Sequence, residues 1–124
     1  MDININATKF PLDLKYEDQS LEAGKFQVRL LENFIYLSSR GVITVPKNFV
    51  CDLASIPQMC QNIICKVGPW DYAAVIHDYL YSTKKFDRKI CDLIFHEALL
   101  DCGVSKVQAL LMYQAVRLFG GSCY

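Results

Sequence analysis

The sequence predicts an α+β domain in which an amino-terminal antiparallel β-meander precedes three helices. In the first half, apolar and polar residues alternate from Phe26 to Leu30, and apolar runs follow at 34–37 and 42–45. A period of two is typical of β-strands. After residue 70, apolar residues recur at spacings of three and four, which predicts helices. Because strands and helices occupy separate parts of the chain, the pattern favours α+β over alternating α/β.

Length and composition predict one domain. A chain of 124 residues with 52% hydrophobic and 21% charged side chains can bury one core, and it is too apolar for disorder. We expect a single domain over 1–124, with a β-rich part at about 1–50, a loop at about 51–69 and a helical part at about 70–121. A loop of that length is uncommon in a small domain and indicates a functional segment.

Capping residues mark the helix boundaries. Asp87 is a suitable N-cap for the second helix, which is expected to stop near Gly103. Ser105 and Gln108 form a capping-box pattern at the start of the third helix. Since only about six residues separate the first two helices, those helices are expected to form an antiparallel hairpin.

This hairpin carries the residues that suggest chemistry. Trp70, Ala74, His77 and Tyr81 follow one face of the first helix at spacings of four, three and four. Antiparallel packing would bring Asp92, on the second helix, opposite His77. An imidazole that faces a carboxylate can serve as a general base. The alternative is a buried histidine whose hydrogen bonds have only a structural role.

Four segments resemble a family of short, uncharacterised phage and prophage proteins. They are Asp-Leu-Ala-Ser-Ile-Pro at 52–57, Ala-Ala-Val-Ile-His-Asp-Tyr-Leu-Tyr at 73–81, Arg88 with Asp92 and Phe95, and Met-Tyr-Gln-Ala-Val-Arg-Leu-Phe-Gly at 112–120. The resemblance extends from about residue 42 to about residue 120. It implies a bacteriophage or prophage origin and brings no established activity.

The helix pair also resembles that of the phospholipase A₂ superfamily, through His77-Asp78-x-x-Tyr81 followed by Asp92-x-x-Phe95. The resemblance implies that His77 is the general base that activates water, and that Asp92 and Tyr81 orient its ring. It implies that Asp78 binds calcium, which polarises an ester carbonyl. The implied substrate is a lipid ester.

The glycine-rich calcium loop of that superfamily is not matched. Gly68 is the only glycine between Pro46 and Pro69, and calcium requires six to eight oxygen ligands. Asp52 and backbone carbonyls of residues 52–57 are candidate replacements. Without such ligands, the chain is a non-catalytic relative or has converged on a stable His–Asp hairpin.

Other arrangements are weaker candidates for chemistry. Ser55 with His77 and Asp92 makes a nucleophilic triad, but the Gly-x-Ser-x-Gly turn is missing, and Ser55 is more simply a turn or cap residue. His96 lies four residues after Asp92, so a two-histidine, two-carboxylate site for zinc or iron is an alternative. Arg117 suits a phosphate clamp or an ion pair with Asp92 or Glu97.

The cysteines favour buried free thiols over disulfides or a zinc cluster. A disulfide framework needs an exported context, and the sequence has no Cys-x-x-Cys pair and only two histidines. Free cysteine commonly behaves as a small core residue. The six are Cys51, Cys60, Cys65, Cys91, Cys102 and Cys123.

Charge and hydropathy narrow the expected partners. Thirteen basic and thirteen acidic residues cancel, so no nucleic-acid partner is predicted. No signal peptide or transmembrane segment is predicted, and host cytoplasm or a phage virion are the expected locations. Two functions stay open. One is a hydrolase, expected to be calcium-dependent, that acts on a lipid or other ester. The other is a non-enzymatic virion or assembly protein that binds other phage proteins, in which His77, Asp78 and Asp92 lock the core.

Overall fold

The structure is a computed structural model that describes residues 5–25, 27–53, 56, 70–121 and 124. An amino-terminal set of antiparallel strands precedes three long helices, which confirms the predicted α+β class. A four-residue helix, α1 (Ser20–Ala23), lies between the first two strands. The described residues contain five strands, which are β1 (Tyr16–Asp18), β2 (Val28–Leu30), β3 (Phe34–Ser38), β4 (Gly41–Val45) and β5 (Val50–Cys51).

The strands pair in two antiparallel sheets. β3 and β4 form a hairpin in which Tyr36 lies opposite Ile43. β2 is the central strand of the other sheet, between β1 and β5. In the described residues, β2 therefore pairs with β1 and β5 and not with β3, the next strand along the chain. β1 is an edge strand with all three side chains exposed, and such a strand leaves no apolar alternation in the sequence.

Three helices make up the second part, and their ends follow the capping chemistry of the sequence. Asp87 Oδ1 accepts a hydrogen bond from the Ile90 N–H at 2.9 Å, and Ser105 Oγ accepts one from the Gln108 N–H at 3.3 Å. Gly103 has a φ of 90°, a conformation that suits glycine where the chain turns between two helices. The helices are α2 (Asp71–Thr83), α3 (Arg88–Asp101) and α4 (Lys106–Phe119).

The helices pack on one another and on the β-hairpin. α2 contacts α3 and β4, while α3 also contacts β3 and α4. Ala73 and Ala74 are fully buried, and their small side chains allow the neighbouring elements to approach α2 closely. The Tyr36 hydroxyl donates to Asp101 Oδ2 at 2.7 Å, which ties β3 to the end of α3. These contacts place His77, a residue of α2, at the interface between α2 and α3.

The described helices are too short or too polar to cross a membrane.

Candidate functional site

Three side chains converge on the carboxylate of Asp92. His77 Nε2 lies 2.7 Å from Asp92 Oδ1, and the Tyr81 hydroxyl donates to the same oxygen at 2.6 Å. Arg117 Nη1 donates to the other oxygen, Oδ2, at 2.8 Å. We call these four residues the Asp92 network. The Asp92 network contains the three residues predicted as catalytic. Its fourth member is Arg117, for which the sequence left open a phosphate clamp or an ion pair with Asp92 or Glu97.

Each helix contributes to the Asp92 network. His77 and Tyr81 are one turn apart on α2, so both side chains face the same position on α3. Asp92 comes one turn after the start of α3, and Arg117 is in the last turn of α4. His77 and Asp92 are both fully buried. The His77 ring contacts the rings of Tyr81 and Phe95, with centroids 4.2 Å and 4.7 Å away.

The electrostatics keep Asp92 ionised. Burial by itself raises the pKa of a carboxyl, but hydrogen bonds from His77, Tyr81 and Arg117 outweigh it, and the pKa of Asp92 is lowered. Burial, followed by the hydrogen bond to Asp92, raises the pKa of Tyr81, so its hydroxyl stays protonated as a donor. Since an ionised carboxylate only accepts hydrogen bonds, His77 Nε2 carries a proton. The geometry therefore places a hydrogen on Nε2 of the imidazole.

The predicted metal ligands, Asp78 and Asp52, lie in other surroundings. Asp78 is buried, and its Oδ2 accepts hydrogen bonds from the Leu53 N–H at 2.7 Å and from Cys51 Sγ at 3.1 Å. Asp52 Oδ2 lies 3.5 Å from Lys25 Nζ. The donors described at Asp78 therefore hold one of its two carboxylate oxygens, Oδ2. The calcium site predicted at Asp78 and Asp52 stays a prediction.

The part of the chain that the structure describes contains no group of three or more histidine, cysteine, aspartate or glutamate side chains that could hold a metal ion. His96 does not join the Asp92 network through any described contact; its ring lies 5.4 Å from that of Tyr113. Ser55 lies outside the described residues, so the predicted triad is not described.

A surface cavity of about 280 Å³ lies between β4 and the end of α2. Its lining includes Lys85 and Phe86 and none of the residues of the Asp92 network.

The described cysteines are buried free thiols. Cys51, Cys91 and Cys102 are free cysteines. The other three, Cys60, Cys65 and Cys123, lie outside the described residues. Burial is the main cause that raises the pKa of Cys91 to about 11 and that of Cys102 to about 12. Burial and the neighbouring Asp78 also raise the pKa of Cys51. These thiols are therefore protonated at neutral pH and are poor nucleophiles.

Sequence reasoning missed the role of Arg88. Its Nη2 donates to the carbonyl oxygens of Val116, at 2.8 Å, and Arg117, at the carboxyl end of α4. A cation is favourable at this end of a helix, where the carbonyl oxygens carry partial negative charge; the Val116 oxygen also accepts from the Gly120 N–H at 2.9 Å. Arg88 thereby helps to fix the turn of α4 that supplies Arg117 to Asp92. Nothing in the spacing of residues 88–117 pointed to this contact, because it depends on how α4 folds back over α3.

Comparison with known protein families gives a match, which includes most of the residues of the Asp92 network. Residues 28–116, from β2 to the last turns of α4, match the model of a family described as a protein of unknown function, DUF1353. The chain belongs to this family. The DUF1353 match covers Asp78 and three of the four residues of the Asp92 network; the fourth, Arg117, lies one residue beyond it. It confirms the predicted resemblance to an uncharacterised family. No curated protein and no solved structure gives a significant match to the chain.

Proposed function

We propose that this DUF1353 protein is a hydrolase in which His77 and Asp92 form a general-base dyad. The observation that carries the proposal is the 2.7 Å contact between His77 Nε2 and Asp92 Oδ1, reinforced by the Tyr81 hydroxyl at 2.6 Å. This contact commits Nε2 to Asp92. The proposed reaction therefore uses the other ring nitrogen, Nδ1, to receive a proton from a nucleophile.

In the proposed reaction, His77 Nδ1 accepts a proton from water as the water oxygen attacks an ester carbonyl. The ring then becomes an imidazolium, and the ionised Asp92 stabilises it through the Nε2–H hydrogen bond. The same proton leaves Nδ1 for the departing alcohol oxygen when the ester C–O bond breaks. Tyr81 and Arg117 act as positioning residues, because they hold the Asp92 carboxylate rather than the substrate.

The composition of the Asp92 network supports a functional role. A buried charged set costs desolvation energy, and well-packed apolar residues of similar volume often give equal or greater stability. The surroundings of His77 are otherwise suited to an apolar core, since the Phe95 ring lies 4.7 Å from the imidazole and the adjacent Ile76 is fully buried. Titratable groups whose pKa values are shifted by specific partners are concentrated at functional sites.

The proposed substrate class and origin rest on the sequence resemblances. The phospholipase A₂ resemblance of 77–81 and 92–95 favours a lipid ester, and the other resemblance favours a bacteriophage or prophage origin. The proposed chemistry is written without a calcium ion, since Oδ2 of the Asp78 carboxylate already accepts hydrogen bonds from Leu53 and Cys51. Calcium binding stays a prediction of the resemblance.

The test is ester hydrolysis by His77→Gln beside the matched variant His96→Gln. Purified wild-type protein would be assayed on phospholipid vesicles and on short soluble esters, with and without a calcium chelator. We expect hydrolysis by the wild type in both conditions, a loss of about 10²–10⁴-fold in His77→Gln, and little change in His96→Gln. Equal activity of the two variants, or activity that disappears with the chelator, would contradict the proposed mechanism.

The second candidate is a non-enzymatic assembly protein, and the complete burial of His77 and Asp92 favours it. In that case, the Asp92 network only fixes the packing of α2, α3 and α4. His77→Gln would then lower the free energy of unfolding by about 1–3 kcal/mol, and no ester would be hydrolysed by any variant. Urea unfolding of both variants, run beside the assay, separates the two functions.

A further inference from the structure

Helix α4 is apolar on two opposite faces. Its inner face buries Ala109, Met112 and Val116 against the rest of the chain. Its outer face carries side chains that recur at spacings of three, one and seven, so they form one stripe along the helix. A helix that is hydrophobic all round is normally covered on both sides. The stripe, with its exposed fractions, is Val107 (69%), Leu110 (47%), Leu111 (59%) and Leu118 (75%).

We infer that this stripe, which we call the outer stripe, binds a second copy of the chain in an antiparallel helix pair. The stripe is self-complementary under two-fold symmetry. With the axis near Met112, Val107 of each copy meets Leu118 of the other, and Leu111 meets Gln114. The same operation places Lys106 beside Phe119, which is 58% exposed at the end of the helix. A closed dimer of this kind uses the same surface on both copies.

Charge supports a second copy as the occupant. α4 contains no acidic residue, and its only basic residues are Lys106 and Arg117. Arg117 is already paired with Asp92 within its own chain. In the antiparallel arrangement, Lys106 and Arg117 of one copy therefore face Phe119 and Gln108 of the other. No like charges oppose each other along the outer stripe, which would be the main electrostatic penalty against self-association.

The size of the surface suits a reversible dimer. Four exposed aliphatic side chains and Phe119 make an apolar patch on the order of 400 Å², a size at which the largest patch of a monomer is often a functional surface. A standard interface buries about 800 Å² on each partner, of which the centre is apolar and the rim polar. Gln108, exposed on α4 beside the stripe, supplies part of a polar border, while the exposed Gln114 lies near the symmetry axis. We therefore expect dissociation at micromolar rather than nanomolar concentration.

Sedimentation velocity of the full chain over a range of concentrations tests this inference. The wild type is expected to change from monomer to dimer, and Leu111→Glu is expected to raise the dissociation constant at least about tenfold. Val42→Glu is the matched control, since Val42 is an equally exposed aliphatic residue on β4 (67%). It should leave the dimer unchanged. Circular dichroism checks that both variants stay folded.

A charge-exchange experiment makes the test specific for a second copy. Leu111→Glu and Leu111→Lys should each be mainly monomeric alone and should form a mixed dimer when combined, because the two substitutions lie near the symmetry axis. A wild type that stays monomeric at every concentration would overturn the inference, as would a dimer that Leu111→Glu does not weaken. Both outcomes are independent of ester hydrolysis, so they leave the proposed dyad untouched.

Discussion

Replacing Asp92 by asparagine is expected to lower kcat for ester hydrolysis by about 10²–10⁴-fold while the protein stays folded. Asparagine keeps the shape of the side chain but removes the charge that stabilises the imidazolium of His77. It also offers an amide N–H₂ group that can face His77 Nε2 and favour the wrong tautomer of the ring. The measurement is kcat and KM on the ester that the wild type hydrolyses fastest. We expect the loss in kcat, with KM changed little.

Asp101→Asn is the matched control for this variant. Asp101 is on the same helix as Asp92 and also accepts a hydrogen bond from a tyrosine, Tyr36, at 2.7 Å. It has no described contact with His77. The control should keep wild-type kcat, even if its stability falls by a similar amount to that of Asp92→Asn. If both variants lost the same fraction of activity, the effect would be one of folding, and the role assigned to Asp92 would be wrong.

Phe95→Ala is expected to lower the free energy of unfolding by about 3–5 kcal/mol. Phe95 is fully buried on α3, and its ring lies 4.7 Å from that of His77. Its removal leaves a cavity beside the Asp92 network that a tightly packed core cannot fill. Urea unfolding followed by circular dichroism gives the free energy of each variant.

Phe119→Ala provides the comparison, because Phe119 is 58% exposed at the end of α4. The same chemical change should cost less than about 0.5 kcal/mol there. Measurements at low protein concentration keep self-association out of the comparison. Equal losses for Phe95→Ala and Phe119→Ala would mean that the packing of α2 and α3 around His77 is not as described.

The three long helices could be predicted from the sequence because the residues that mark their ends act locally. Asp87 and Ser105 cap helices by bonding to backbone N–H groups three residues away, and such short-range chemistry is visible in the residue spacing. The position of His77 opposite Asp92 also followed, since a short connection leaves two adjacent helices few ways to pack. The pairing of the α2 and α3 faces therefore needed no knowledge of the strands.

Long-range contacts could not be predicted in the same way. β1 and β5 flank β2 through pairings such as Tyr16 with Leu30, and neither edge strand has a clear apolar alternation. Asp78 bonds to Leu53, 25 residues earlier in the chain, and Arg88 bonds to carbonyls of α4, 28 residues later. Such contacts depend on the docking of whole elements, which residue spacing does not encode. This is why the surroundings of Asp78 were the least predictable part of the site.

The most direct test of the dyad is nitrogen NMR of the histidine rings near neutral pH, in the wild type and in Asp92→Asn. His96→Gln removes the second histidine and thereby assigns the signals of His77. The proposed general base predicts a proton on His77 Nε2 and none on Nδ1 in the wild type, and a shift of the ring towards the other tautomer in Asp92→Asn. A proton on Nδ1 in the wild type, in either the neutral or the cationic ring, would contradict the proposed general base.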